Sequence, residues 1–179
     1  GLHLVNLVAG WTYQEENTQT MSATGVSLSQ PYFLQLQNAT SWSADSYEYK
    51  HTLDSYLARL NYDFDGKYLI SGIVRRDGSS RFHKDNRWGT FWAIGASWRL
   101  KEEAFLKNVN WLSNLKAKVS YGTQGNDNVG LAHVYTDLYS VDRVDGAAAF
   151  SHALRGNPDL TWEKSRNFNA GFEAGFWKR

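Results

Sequence analysis

From Thr52 onward, apolar and polar residues alternate with a period of two in a series of separate stretches. In TLDSYLARLNYDF (52–64), Tyr56, Ala58, Leu60, Tyr62 and Phe64 fall on one face of an extended strand. Ser55, Arg59, Asn61 and Asp63 fall on the other, with Leu57 an apolar intruder among them. Such alternation is the pattern of a strand with one apolar and one polar face. Asp65-Gly66 follows at once and predicts a tight hairpin, because glycine accepts the positive φ of a primed turn. The return strand sets Tyr68, Ile70, Gly72 and Val74 against Leu69, Ser71, Ile73 and Arg75. WGTFWAIGASWRL (88–100) sets Trp92, Ile94, Ala96 and Trp98 against Phe91, Ala93, Gly95, Ser97 and Arg99. Further on, Leu115, Ala117, Val119 and Tyr121 oppose Lys116, Lys118 and Ser120. In the clearest strand, within Thr161–Trp177, Phe168, Ala170, Phe172, Ala174 and Phe176 oppose Asn167, Asn169, Gly171, Glu173 and Gly175. His3–Tyr13 is a further candidate, apolar on both faces at its start, and makes about six strands in all.

The segments between these strands sort by parity. Connections one, three and five, residues 14–50, 77–87 and 124–160, are long or polar and share one side. The other side carries the Asp65-Gly66-Lys67 turn and Lys101–Ser113, where Phe105, Val109 and Leu112 recur at spacings of four and three and predict a short helix. Long loops at one end and short turns at the other describe an antiparallel up-and-down transmembrane β-barrel. Aromatics near the strand ends (Trp11, Tyr13, Phe64, Tyr68, Trp98, Tyr121, Phe176) fit interfacial girdles. The polar faces, with Arg59, Arg75, Arg99, Lys118 and Glu173, suit a wet lumen. Arg75, Lys118, Arg59, Asn169 and Glu173 are therefore expected to face it. Arg76 is expected to snorkel at the rim, with Asp77 as a local partner.

Composition refines this picture. The 179 residues hold 8 Trp, 10 Tyr and 9 Phe but only 2 Pro, and few prolines suit long paired strands. A formal net charge of +1 gives no global field that points to nucleic acid. No run approaches the roughly 18 apolar residues of a spanning helix, whereas a spanning strand needs about 9–11 residues, half of them polar. With no cysteine, disulfides, thiolate metal sites and cysteine nucleophiles are excluded. Six strands do not close a barrel, for which eight is the usual minimum. The chain begins at Gly1 and ends at Phe176-Trp177-Lys178-Arg179 within what reads as a hairpin, so it is expected to be part of a longer protein.

Candidate chemistry is sparse. The five histidines lie far apart without a helical zinc spacing, and no catalytic constellation, metal site or cofactor site emerges. GTQGNDNVG (122–130) lacks the Lys-Ser/Thr and the helix of a phosphate loop and reads as a turn-rich loop base. Asp127 between Asn126 and Asn128 offers too few oxygens for a dedicated Ca²⁺ site. More informative are Trp42, Tyr47, Tyr49, Tyr135 and Tyr139, isolated in segments of small polar residues. They are candidates to stack on a substrate, to bury against a partner or to anchor the loops to one another.

YLARLNYDFDGKYLISGIVRRDGSSRF (56–82), WGTFWAIGASWRL (88–100), LKAKVSYGTQGNDNVG (115–130) and GNPDLTWEKSRNFNAGFE (156–173) together resemble the C-terminal half of the SusC/RagA-type TonB-linked outer-membrane transporters of Bacteroidetes. The resemblance covers nearly all of the chain from Thr52, and the first strand more weakly. It implies one fragment, residues 1–179, of a single barrel domain, usually of 22 strands, with long extracellular loops and one short periplasmic helix. It further implies a plug domain and remaining strands supplied by the rest of the protein, and import of a glycan or peptide across the bacterial outer membrane. A SusD-type surface lipoprotein would close the barrel as a lid, and the TonB complex would supply energy through the N-terminal part. Two other readings remain open at this point, a soluble all-β carbohydrate-binding module and a passive porin.

Overall fold

The structure is a computed structural model that describes residues 1–28, 32, 35–130 and 133–177. Strands β1 (His3–Leu28), β2 (Ala39–Phe64), β3 (Tyr68–Ser79), β4 (Trp88–Trp98), β5 (Leu112–Asn126) and β8 (Glu163–Phe176) form one six-stranded antiparallel sheet in the order β1-β2-β3-β4-β5-β8. Among the described residues β6 (Leu138–Val144) and β7 (Ala147–Leu154) pair only with each other. The chain divides into two compact units, Gly1–Gln14 with Leu53–Arg179, and Glu15–Thr52, each of which is described by itself. Among the described residues no helix is long and apolar enough to cross a membrane.

The predicted hairpin is present. Asp65 (φ 55°) and Gly66 (φ 65°) both take the left-handed conformation of a primed turn. The Asp63 carboxylate accepts from the Gly66 amide at 2.7 Å, and the Asp65 carboxylate from the Leu2 amide at 2.7 Å. The pairing then carries a register across five strands. Asn61, Ser71, Gly95, Ser120 and Asn169 lie in one inward row, partner to partner. One residue away, Leu60, Gly72, Ile94, Tyr121 and Phe168 form an outward row, and Phe64, Tyr68, Trp98, Ala117 and Phe172 form another nearer the short turns.

Three segments differ from the sequence expectation. The stretch 14–50, expected to be irregular, is mostly strand, because β1 and β2 each run for 26 residues. Its Thr, Tyr and Trp residues suit an extended chain, and β1 and β2 are paired neighbours. Ser29, Gln30, Pro31, Phe33 and Leu34 of that stretch, Leu131 and Ala132 of the other long connection, and the terminal Lys178-Arg179 lie outside the described residues. The expected helix 101–113 shrinks to a 3₁₀ turn at Leu100–Glu102 and one turn of helix α1 (Ala104–Lys107). Lys101 explains the stop: its ammonium donates to the carbonyls of Leu106 (2.9 Å), Lys107 (3.2 Å) and Val109 (2.7 Å), which a longer helix would need. β6 and β7 were not expected within 124–160. Asp145-Gly146 (φ 51° and 81°) is the same turn signal as Asp65-Gly66, flanked here by shorter apolar runs.

At the short-turn end, Tyr68 stacks on Phe64 and on Trp98, each with ring centroids 6.1 Å apart. Glu103, just before α1, accepts from the Tyr68 hydroxyl at 2.7 Å and from the Trp98 indole at 3.0 Å. The Tyr68 bond first, then the Trp98 bond, hold its carboxyl below the ordinary value. Because the folded value lies below the unfolded one, this contribution to stability is present above the unfolded carboxyl range and is lost as pH falls through the folded value. Comparing thermal melts of the full-length barrel and its Glu103→Gln variant should show a deficit at pH 7 that closes below about pH 4.

The outward rows also set a height. From the Tyr68 row to the Gly78–Trp88 pair is ten residues along β3. At about 3.4 Å per residue and a tilt near 40°, that projects to roughly 26 Å, close to the ~25 Å apolar band of a membrane barrel. Ile94 and Phe168 sit within it, 53% and 67% exposed. Arginine at either position is expected to cost the full-length barrel about 2–4 kcal/mol in a lipid-vesicle folding titration, whereas Ser71→Arg on the opposite face costs less than about 1 kcal/mol.

Candidate functional site

The inward face carries most of the expected lumen residues. A hollow of about 730 Å³ opens over it, lined by Asn61, Asp63, Ser71, Ser97, Lys118 and Asn169 among others. Alternation and register place Arg59 (partner Ile73) and Arg75 (partner Phe91) on this same face. Lys118 and Glu173 form an ion pair with each other on it. The Arg75 guanidinium donates to Asp77 at 2.6 Å and to Ser55 at 3.1 Å, so Asp77 partners Arg75. Arg76 points the other way, with its guanidinium 5.3 Å from the Trp88 ring centroid.

The aromatic candidates fall into two groups. Trp42, Tyr47 and Tyr49 belong to the ribbon of Glu15–Thr52. Strand alternation puts Trp42 on one face and the two tyrosines on the other, and Trp42 and Tyr47 are largely exposed. Tyr135 lies between two histidines, 6.0 Å from the His83 ring and 5.9 Å from His133. Tyr139 packs edge-on against its cross-strand partner His152 at 5.4 Å.

The best-buried part of the chain was not legible as such. The β4–β5 ladder ends at Ala93 and Gly122. Beyond that point Phe91 packs edge-on against Trp162 (5.2 Å), which packs against Phe82 (5.6 Å), and all three are at most 7% exposed. Both glycines beside Phe91 are dictated by this packing. A Cβ on Gly89 would lie 2.6 Å from the Phe91 ring, and one on Gly125 would lie closer still. Hydrogen bonds ring the cluster. The Ser79 hydroxyl, fully buried, donates to the Asp127 carboxylate at 2.7 Å. Arg81 reaches the Asp127 carbonyl (3.4 Å) and the Asn128 side chain (3.3 Å). The Arg87 carbonyl accepts from both the Ser79 amide (3.1 Å) and the Trp162 indole (2.8 Å). Asn86 donates to the Pro158 carbonyl (2.9 Å), and the Thr161 hydroxyl returns a bond to the Asn86 carbonyl (3.0 Å). The clue in the sequence was a lone Phe82 and a lone Trp162, each set among polar residues. Among the described residues no group of three or more His, Cys, Asp or Glu side chains is placed to hold a metal.

Comparison with known proteins adds kinship to this geometry. The family model described as TonB dependent receptor-like, beta-barrel matches residues 3–179. The chain is 40% identical over 154 residues, 82% of its length, to the TonB-dependent receptor SusC of Bacteroides thetaiotaomicron, of which the match covers 15%. It is 31% identical over 183 residues, 99% of its length, to a TonB-dependent receptor of Formosa agariphila, covering 17% of that protein. Among solved structures it superimposes on the RagAB peptide transporter with a TM-score of 0.85 and 30% identity, covering 98% of this chain and 20% of that one. A closed-closed state of the RagAB peptide importer gives 0.83 at 31% identity, covering 97% and 20%. The chain thus spans 15–20% of the length of these relatives.

The cluster yields its own test. Gly125→Ala, which sets a methyl group against the Phe91 ring, is expected to lower the stability of the full-length barrel by about 1–3 kcal/mol in denaturant titrations. Gly72→Ala, with open space around its missing Cβ, serves as the control and should leave the midpoint nearly unchanged.

Proposed function

This chain belongs to the TonB dependent receptor-like β-barrel family, and from that premise we propose that its sheet is one stretch of the wall of an energised outer-membrane nutrient importer. The observation that carries the reading is the pair of aligned rows: Leu60, Ile94, Tyr121 and Phe168 outward, and Asn61, Ser71, Ser120 and Asn169 inward, one residue apart on the same strands. A wall with hydrocarbon on one side and water on the other needs that pattern. Residues 1–179 are then a fragment of one barrel domain, and the remaining strands and a plug come from the rest of the protein. Arg59, Arg75, Lys118, Asn169 and Glu173 face the lumen, and the imported solute is a glycan or a peptide. The name of one similar protein, the RagAB peptide transporter, supports the peptide class, and the glycan class rests on the sequence resemblance. The chain's role is transport rather than catalysis.

In this reading a SusD-type lipoprotein covers the extracellular mouth, and the TonB complex drives uptake through the N-terminal part. Trp42, Tyr47, Tyr49, Tyr135 and Tyr139 are contacts for partner or solute, because functional residues concentrate on segments held by a rigid scaffold and interface hot spots favour Trp and Tyr. Changing Trp42, Tyr47 and Tyr49 together to Ala should leave the barrel assembled yet weaken lipoprotein co-purification or slow growth on the substrate. A triple variant that keeps its partner and transports normally would strip these residues of the role. Uptake that persists after TonB is removed would replace the importer with a passive pore.

A further inference from the structure

The excursion between β5 and β8, residues 127–161, leaves the sheet and returns to it beside one turn, residues 79–87. Its outgoing stem is tied there by Asp127 to Ser79 and by the Asp127 carbonyl and Asn128 to Arg81. Its returning stem is tied to the same turn by Pro158 and Thr161 to Asn86 and by Trp162 to Arg87. Between the stems further rungs follow: the Asn157 amide to the Val134 carbonyl at 2.9 Å, then the Gly156 amide to the Asp137 carboxylate at 2.7 Å. The β6–β7 ladder begins immediately beyond, at Leu138 and Leu154.

A two-stranded hairpin is marginal by itself in water. Here it continues a bonded stem whose foot is the buried Phe82–Phe91–Trp162 cluster. We infer that this cluster and the turn 79–87 act as a clamp on both stems, so that the β6–β7 ribbon is a rigid arm fixed to the barrel rim, and that Trp162 and Asn86 are positioning residues for uptake. The uptake part rests on the importer reading above. The clamp itself rests on the bonds and ring contacts alone.

The experiment uses the full-length transporter. Trp162→Phe keeps an aromatic ring but loses the bond to Arg87, and Asn86→Ala loses the bond to Pro158 while leaving the cluster filled. In each variant, amide exchange across 133–157 is expected to rise at least tenfold while β8 residues 165–176 keep their protection, and uptake should fall. An oxidised cysteine pair replacing Asn86 and Thr161 should return both exchange and uptake toward wild type, and reduction should reverse the return. Unchanged exchange across 133–157 would overturn the clamp. So would an equal rise in β8, which marks general loosening, or no recovery on oxidation. Faster exchange with normal uptake would remove the positioning role. A wild-type protein that imports no glycan or peptide would sink the importer reading, and the clamp would then stand or fall on exchange alone.

Discussion

A strand that crosses hydrocarbon has no water for its backbone, so each of its N–H and C=O groups must bond to a neighbouring strand, at several kcal/mol for each group left unpaired. This sheet is built around that requirement. β2 and β3 pair without a break from Leu53–Ser79 to Phe64–Tyr68, and β5 and β8 pair along nearly their whole length. The departure lies between β4 and β5, whose ladder stops at Ala93 and Gly122, part-way up the apolar band. The Thr123 hydroxyl there accepts from the Trp92 amide at 3.1 Å, in place of a backbone carbonyl. Beyond that point Phe91 packs against Trp162. Gly89 and Gly125 leave room for the rings.

The extent to which the sequence revealed this differs from part to part. Strands with one lipid-type and one water-type face obey a strict period, and the registers at Tyr68, Ile94, Val119 and Phe168 follow the faces read from the chain. Segments outside the band obey no such rule. The ribbon 15–52 is held by backbone pairing that Ser, Thr and Gln neither advertise nor forbid. The short span of the helix at 104–107 depends on where the Lys101 ammonium lands, which spacing alone does not disclose. Phe82 and Trp162 are 80 residues apart in sequence, and nothing local tells either that the other is its neighbour.

The residues that carry the family resemblance acquire a physical meaning in the fold. Arg75–Phe82, Gly125–Asn128 and Asn157–Trp162 are distant stretches of the chain that converge on the 79–87 turn. Ser79, Arg81, Asp127 and Trp162 spend their polar groups on one another or on backbone carbonyls there. What reads in the sequence as a signature of transport is, in the structure, a fastening. In the importer reading, the groups that would meet a solute belong to the plainer inward rows.

One of those rows has a mechanical consequence. Asn61, Ser71, Gly95, Ser120 and Asn169 run side by side across five strands with no ionised group and no side chain longer than asparagine. In the importer reading, a solute at that level meets only neutral hydrogen-bonding groups, each bond worth about 1 kcal/mol net against water, between levels that carry Asp63 and Lys118 on one side and Arg59 on the other. Under that reading the wall holds a passing polar body weakly at this height and more firmly at the charged levels above and below it.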